Sequence, residues 1–354
     1  MLEVLEFLAG LALSVYLLND VFQSVVVPRS TPSRFRISRL VIVNGWRVVR
    51  AVGLRSRTAG SRERLLGTFA PMVVILLLLI WISGLIIGFG LMLYAFRGST
   101  TPPIENLGSA IYAAGTSLLT ISFSNIVANS GGARLVSIAA GMAGLGTIAL
   151  AISFLFSIYA TFQRREILIV TLDARAGAPP SGVTLLATMA KLGVIDDLPR
   201  FFGDWEKWAA EVLDSHLAYP VLAYFRSSHD NESWVSALGA LLDAATLCLT
   251  TVEGCPEGRA KLLLAIGGHL VEDVSRYFRI AHEHGVIVER SEFDAARAQL
   301  AAAGWRLREV ERSWSDFQRI RGRYAGDLEG MARFWAVPPA QWIGDRSALR
   351  HATA

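Results

Sequence analysis

The sequence predicts an all-α membrane protein: three transmembrane helices, a short re-entrant helix between the last two, and a cytoplasmic α-helical bundle. Three observations predict it. The chain is 53% hydrophobic and 18% charged, with mean hydropathy +0.42, whereas soluble proteins are about 25% charged. Three apolar runs, 4–27, 68–96 and 135–162, each exceed the roughly 20 helical residues that cross a bilayer. The remaining half alternates with helical spacing and shows no period-2 strand pattern.

The charge is split between two unlike halves. Residues 1–162 hold 12 Lys+Arg and 5 Asp+Glu, a net of +7; residues 163–354 hold 22 and 25, a net of −3. The basic pI of 9.3 therefore belongs to the membrane half, which excludes a nucleic-acid partner read by a basic soluble domain.

The first run, within 1–27, carries Glu3 and Glu6 with no basic residue before its apolar stretch, so it reads as a span rather than a cleaved signal. Asp20 lies inside it. An acid at that depth is either functional or a surface group beside Arg29. Residues 28–66 form a basic cytoplasmic loop with ten arginines and one acid, Glu63. By the positive-inside rule this loop and the Gln163-Arg164-Arg165 end of the third run face the cytoplasm. The N-terminus is then outside and the C-terminal domain inside, in a cell inner (plasma) membrane. Leu40 to Val52 mixes apolar residues and arginines at helical spacing. That spacing predicts an amphipathic helix, either on the anionic lipid surface or against the cytoplasmic domain.

The segment 97–134 joins the last two spans. It starts with turn residues up to Pro103. A run from Asn106 to Leu119, too short to span, follows, and then Thr120-Ile121-Ser122-Phe123-Ser124-Asn125. A short helix between two true spans can dip into the bilayer and return, provided that protein or water surrounds its irregular part.

This order resembles the two-helix pore module of the potassium-channel superfamily, over residues 68–162. The resemblance implies that 67–173 is a pore domain of span, pore helix, filter and span. Thr120, Ile121, Ser122, Phe123, Ser124 and Asn125 then stand at the filter, and Thr116 and Ser117 at the polar end of the pore helix. Ser122 and Ser124 stand where the family has glycine. Each serine held left-handed costs about 1–2 kcal/mol, so the filter is degenerate, and the hydroxyls can serve a wider, hydrated passage. The resemblance implies a passive cation channel, potassium first and sodium second, with no cofactor and no metal. One pore segment per chain implies a homotetramer. In the third span Gly141, Gly144 and Gly146 suggest a gating hinge, at Gly141 and Gly144, or plain close packing. Gly84 and Gly88 in the second span read as helix packing.

Ala174 to Gly182 is rich in breakers and marks the boundary of the cytoplasmic helical domain, 183–354. Helices are expected over 183–192, 198–216, 218–227, 232–252, 257–283, 292–321 and 324–335. Ser291 to Asp294 resembles a capping box. Cys248 and Cys255 match no zinc spacing and read as buried free thiols. The stretch from His216 to Asn231 is dense in polar and aromatic residues, either a site for an unknown cytoplasmic ligand or a packed helix corner. His269, Glu272 and Asp273 are a weak metal candidate on one helix face. No catalytic motif occurs, so no enzyme is expected. The rival to a channel is a non-conducting sensor or scaffold on the pore fold; a membrane-anchored enzyme is a weaker third reading.

Overall fold

The computed structural model describes residues 1–354 except 28–35, 57, 122, 228, 230, 286–287 and 345–354. Arg29 and Ser122, both singled out above, lie outside the described residues. Twelve α-helices carry the described fold: α1 Leu2–Val25, α2 Ile37–Gly53, α3 Ala59–Tyr94, α4 Leu107–Leu118, α5 Gly131–Ala176, α6 Gly182–Lys191, α7 Leu198–Ala218, α8 Trp234–Thr250, α9 Glu257–Phe278, α10 Arg290–Ala302, α11 Val310–Arg321 and α12 Ala325–Trp335. α1, α3 and α5 are long and apolar enough to cross a membrane. The fold divides into two compact units. One comprises Met1–Val48 and Thr68–Tyr159; the other comprises Val49–Gly67 and Ala160–Ala354.

In the first unit, helices meet through small residues. A Cβ on Gly84 would lie 2.6 Å from a Leu17 methyl, and one on Gly88 would strike Ser14 and the Gly10 backbone. The Gly-x-x-x-Gly pair therefore lets α3 cross α1 at close range, which stands in for the hydrophobic drive that lipid removes. Leu17, Val21, Trp81, Leu85 and Phe89 form the core at this crossing. Asp20 is buried there. It accepts hydrogen bonds from Trp81 Nε1 (2.8 Å) and from the Ser38 amide (3.2 Å) and hydroxyl (3.0 Å), and Arg36 Nε lies 3.6 Å away. The acid thus ties the start of α2 to two spans. Farther along α2, Trp46 packs on Phe69 with ring centroids 5.2 Å apart.

In the second unit, α8 is buried along almost its whole length and is flanked by α6, α9, α11 and α12. Its Asp243 takes Arg321 Nε at 2.9 Å and the Tyr324 hydroxyl at 2.7 Å. Burial and the Asp243 charge push the Tyr324 phenol well above its ordinary value.

Several helix expectations shift. In place of a helix over 218–227, α7 runs to Ala218, Pro220 cannot continue it, and Pro220–Tyr224 form a 3-10 turn. The run 292–321 breaks into α10 and α11 at Gly304, whose φ of +105° no other residue adopts easily. The capping box sits at Glu289 with Glu292, two residues before the expected start. α9 ends at Phe278, on a left-handed Arg279. Cys248 and Cys255 are bonded to each other and are not free thiols. The turn after α8 brings their Cα atoms to 5.5 Å, inside the range a disulfide spans.

Candidate functional site

The short helix α4, Leu107–Leu118, carries the residues that the sequence singles out. Its first turn is capped by Asn106, whose side-chain oxygen accepts from the Ser109 amide at 2.9 Å. Such a cap satisfies donors that a helix end leaves open. Ala110, Ala113, Ala114 and Leu118 face inward and join the core formed with Leu85, Phe89, Val136 and Ala140. Glycine permits the fit on both sides. A Cβ on Gly90 of α3 would lie 2.9 Å from Ile111. A Cβ on Gly144 of α5 would land on the Leu118 carbonyl oxygen, and one on Gly141 would touch the Ser117 carbonyl at 3.4 Å. α5 runs through Gly141 and Gly144 as one helix, so the structure shows a close approach at Gly144.

The chain leaves α4 through a left-handed Thr120, φ +54°. Backbone bonds from the Thr120 amide to the Ser117 carbonyl (3.1 Å) and from the Ile121 amide to the Thr116 carbonyl (3.0 Å) close the helix end. The Thr116 hydroxyl donates to the Ala113 carbonyl and is buried. Beyond this turn the backbone is held by side chains. The Tyr112 hydroxyl donates to the Phe123 carbonyl at 3.2 Å, and the Ile126 amide donates to Ser124 Oγ at 3.1 Å. The Phe123 ring is 81% exposed and Ile121 is exposed too. A two-residue ladder, Thr100 opposite Ala128 and Thr101 opposite Val127, joins the two arms of the segment. Thr120, Ile121, Phe123, Ser124 and Asn125 therefore form one return loop off the end of α4, with Thr116 and Ser117 at its base.

The α5 face bearing Leu135, Ile138, Met142, Leu145, Ile152, Phe156 and Tyr159 is exposed. Its spacing of three and four residues is that of a helix stripe.

In the second unit His216, Leu222 and Phe225, from the stretch that begins at His216, pack around Arg165. Arg165, on α5, is buried. Its Nη1 lies 3.1 Å from His216 Nε2 and 3.1 Å from the Leu222 carbonyl; its Nη2 is 2.7 Å from the Phe225 carbonyl and 3.0 Å from Glu166 Oε1. Because a guanidinium only donates, Nε2 is the acceptor and the neutral imidazole carries its proton on Nδ1. Burial, and then the Arg165 charge, hold the His216 imidazole well below its ordinary 6.5. Burial, with smaller help from the Asp173 and Glu166 charges, raises the Glu232 carboxyl, and His229 and the Ser227 hydroxyl oppose that rise. Among the described residues, no group of three or more His, Cys, Asp or Glu side chains could hold a metal ion.

Sequence reasoning missed Arg165 as a structural centre: Arg164-Arg165 carried only the orientation argument. Its adjacency to Glu166, a charge pair at a span end, is the one signal available. Tyr112, whose hydroxyl holds the Phe123 carbonyl, gave none.

Residues 72–161 match the family model described as an ion channel. The match covers less than half of the chain and includes α4, the return loop and most of both flanking spans. No curated protein and no solved structure matches. The matched stretch is thus similar to an ion-channel domain, and three helices of the chain are long and apolar enough to cross a membrane.

Proposed function

We propose that four copies of the chain form a passive channel for monovalent cations, potassium before sodium. Residues Thr120 to Asn125 form its filter and α5 lines its inner passage. The observation that carries this reading is the return loop itself. A non-spanning helix, buried between two spans by glycine contacts, ends in a left-handed threonine and presents Ile121 and Phe123 outward.

Carbonyl and hydroxyl oxygens at this loop would replace part of an ion's hydration shell. Serine in place of the family's two glycines favours a wider passage. The electrochemical gradient drives the flux, and no cofactor is needed. The exposed α5 stripe is then the surface that meets neighbouring copies and the passage. The helical domain acts on α5 through Arg165, beyond the membrane, and the chain faces the cytoplasm with its basic loop and helical domain.

The test is flux in liposomes holding the purified chain, with Phe123→Ala/Ser124→Ala as the control. Potassium flux that exceeds sodium flux and is lost in the variant supports the reading. Equal flux of both ions removes selectivity but keeps the pore. A tetramer that passes neither ion favours the non-conducting sensor.

A further inference from the structure

We infer that the C-terminal end of α12 is the docking point for the chain segment that enters the outer pore helix, with Arg226 as the residue that holds it. The inference rests on the pore reading only for its consequence on conduction; the hold itself is independent of it.

The geometry is specific. Arg226 follows the 3-10 turn after α7 and uses its whole guanidinium. Nε and Nη2 meet the two Glu63 oxygens at 2.8 and 2.9 Å, a bidentate pair. Nη1 meets the Trp335 carbonyl at 2.8 Å, and Nη2 also meets the Ala336 carbonyl at 2.8 Å. These carbonyls are the open acceptors at the end of α12, where Ala336 turns left-handed with φ +50°. A cation placed there satisfies orphan carbonyls and the negative end of the helix dipole. A second guanidinium docks on the same helix end: Arg50 Nη2 donates to the Arg333 carbonyl at 2.9 Å. Arg50 closes α2 and Glu63 lies in the first turns of α3, so both ends of the intervening connection converge on α12.

In the sequence Glu63 stands only as the one acid among ten arginines, 163 positions from Arg226. As the sole acid of residues 28–66, it is the one side chain in that stretch able to bind an arginine by charge. Lysine could not replace Arg226, since one ammonium cannot meet a carboxylate fork and two carbonyls in these directions. α3 runs unbroken from Ala59 to Tyr94, so the held first turns and the apolar span belong to one helix. Arg226 is a positioning residue: it touches no ion, and it acts by transmitting the state of α12 to α3, as Arg165 does for α5.

Hydrogen exchange read by mass spectrometry on the full chain in detergent tests the hold. Glu63→Gln removes the ion pair and leaves Arg226 on α12; Arg226→Gln removes both. Exchange in residues 59–67 is expected to rise about tenfold in both variants, the change that follows loss of a charge-assisted pair. Exchange at the end of α12 is expected to rise in Arg226→Gln alone. Unchanged exchange at 59–67 in Glu63→Gln, a variant that keeps the cap and the fold, overturns the proposal. Flux through the same two variants in liposomes then tests the coupling. A change of severalfold in potassium flux with an unchanged melting temperature supports it. Equal flux in wild type and Glu63→Gln overturns the coupling while leaving the channel in place. A wild-type chain that passes no ion overturns the pore reading instead, and the exchange result still decides the hold.

Discussion

Both units bring segments together through glycine, in the second at Gly182 on Ala240 and Gly330 on Ala281, but the second also lays arginines on backbone carbonyls. Between α1, α3, α4 and α5 the close contacts run through glycine: Gly10 with Gly88, Gly84 with Leu17, Gly90 with Ile111, Gly144 with Leu118. In the helical domain the added contacts are those arginines: Arg165 on Leu222 and Phe225, Arg226 on Trp335 and Ala336, Arg321 on Trp342. The reason is the solvent. Lipid is as apolar as a leucine side chain, so helices gain by fitting closely rather than by hiding apolar area. In water apolar burial supplies the drive but no direction, and buried arginines supply direction through hydrogen bonds of fixed geometry. The family match follows the same line. It covers the glycine-packed stretch and stops at 161, four residues before Arg165.

Removing the cation at Arg165 is the sharpest way to break this contrast. Arg165→Met leaves Glu166 buried beside three acceptors that have lost their donor. Truncating one partner of a buried pair costs about 3–5 kcal/mol. Thermal unfolding of the chain in detergent should show that loss, with the helical domain melting first. A shift no larger than a surface substitution gives would mean that the domain is held by its apolar core alone.

Glycine should answer in the other unit, and its neighbours should separate fit from propensity. Gly144→Ala places a methyl on the Leu118 carbonyl, where backbone must move, at a cost of about 1–3 kcal/mol. Gly146 has nothing within 4 Å in the chain, so Gly146→Ala should gain about 1 kcal/mol of helix propensity. Equal effects of the two changes would show that Gly144 serves bending rather than close approach. Hydrogen exchange in α4 measured beside stability tells whether α4 has been displaced.

Much of this was legible in the sequence, for reasons that differ between the units. The spans, the short helix and the return loop stand out because lipid demands long apolar runs and tolerates breaks only where protein surrounds them. α4 was expected from Asn106 to Leu119 and is found from Leu107 to Leu118. The helical domain was legible only in outline. Boundaries at Ser181, Leu198 and Ser233 carry cap or proline signals and fell close to place. The break at Gly304 depends on a bridge from Val252 to Leu307, a pairing that no local pattern reveals. The same holds for the bond between Cys248 and Cys255, which required the turn that folds them together, and for Arg226 with Glu63, 163 positions apart. Close packing at Gly144 was visible as one of two readings, because a glycine in a helix bends and fits equally well.

The mildest test of the contrast uses protons, and only the helical domain should feel it near neutrality. His216 is held neutral by burial and by Arg165, so its value in the folded chain lies well below the 6.5 of the unfolded one. Between these two values the unfolded chain binds more protons than the folded chain, and stability must fall as pH falls. The contribution is complete above 6.5 and declines below it, by at most about 1.4 kcal/mol per pH unit for a single group. Arg165 faces the imidazole at Nε2, Ser215 Oγ lies 3.2 Å from Nδ1, and the Trp234 ring packs on it at 4.8 Å. Glu166 and Glu232 lie nearby. Glu232, held high by burial, works in the opposite sense, because its contribution fades as pH rises from 4.5. His216→Gln keeps an acceptor for Arg165 while removing the titration. The unfolding temperature of the wild-type chain should therefore drop between pH 7 and pH 5 more steeply than that of His216→Gln. Parallel pH profiles for the two proteins would place the proton uptake elsewhere and leave Arg165 anchored by its carbonyls and Glu166 alone.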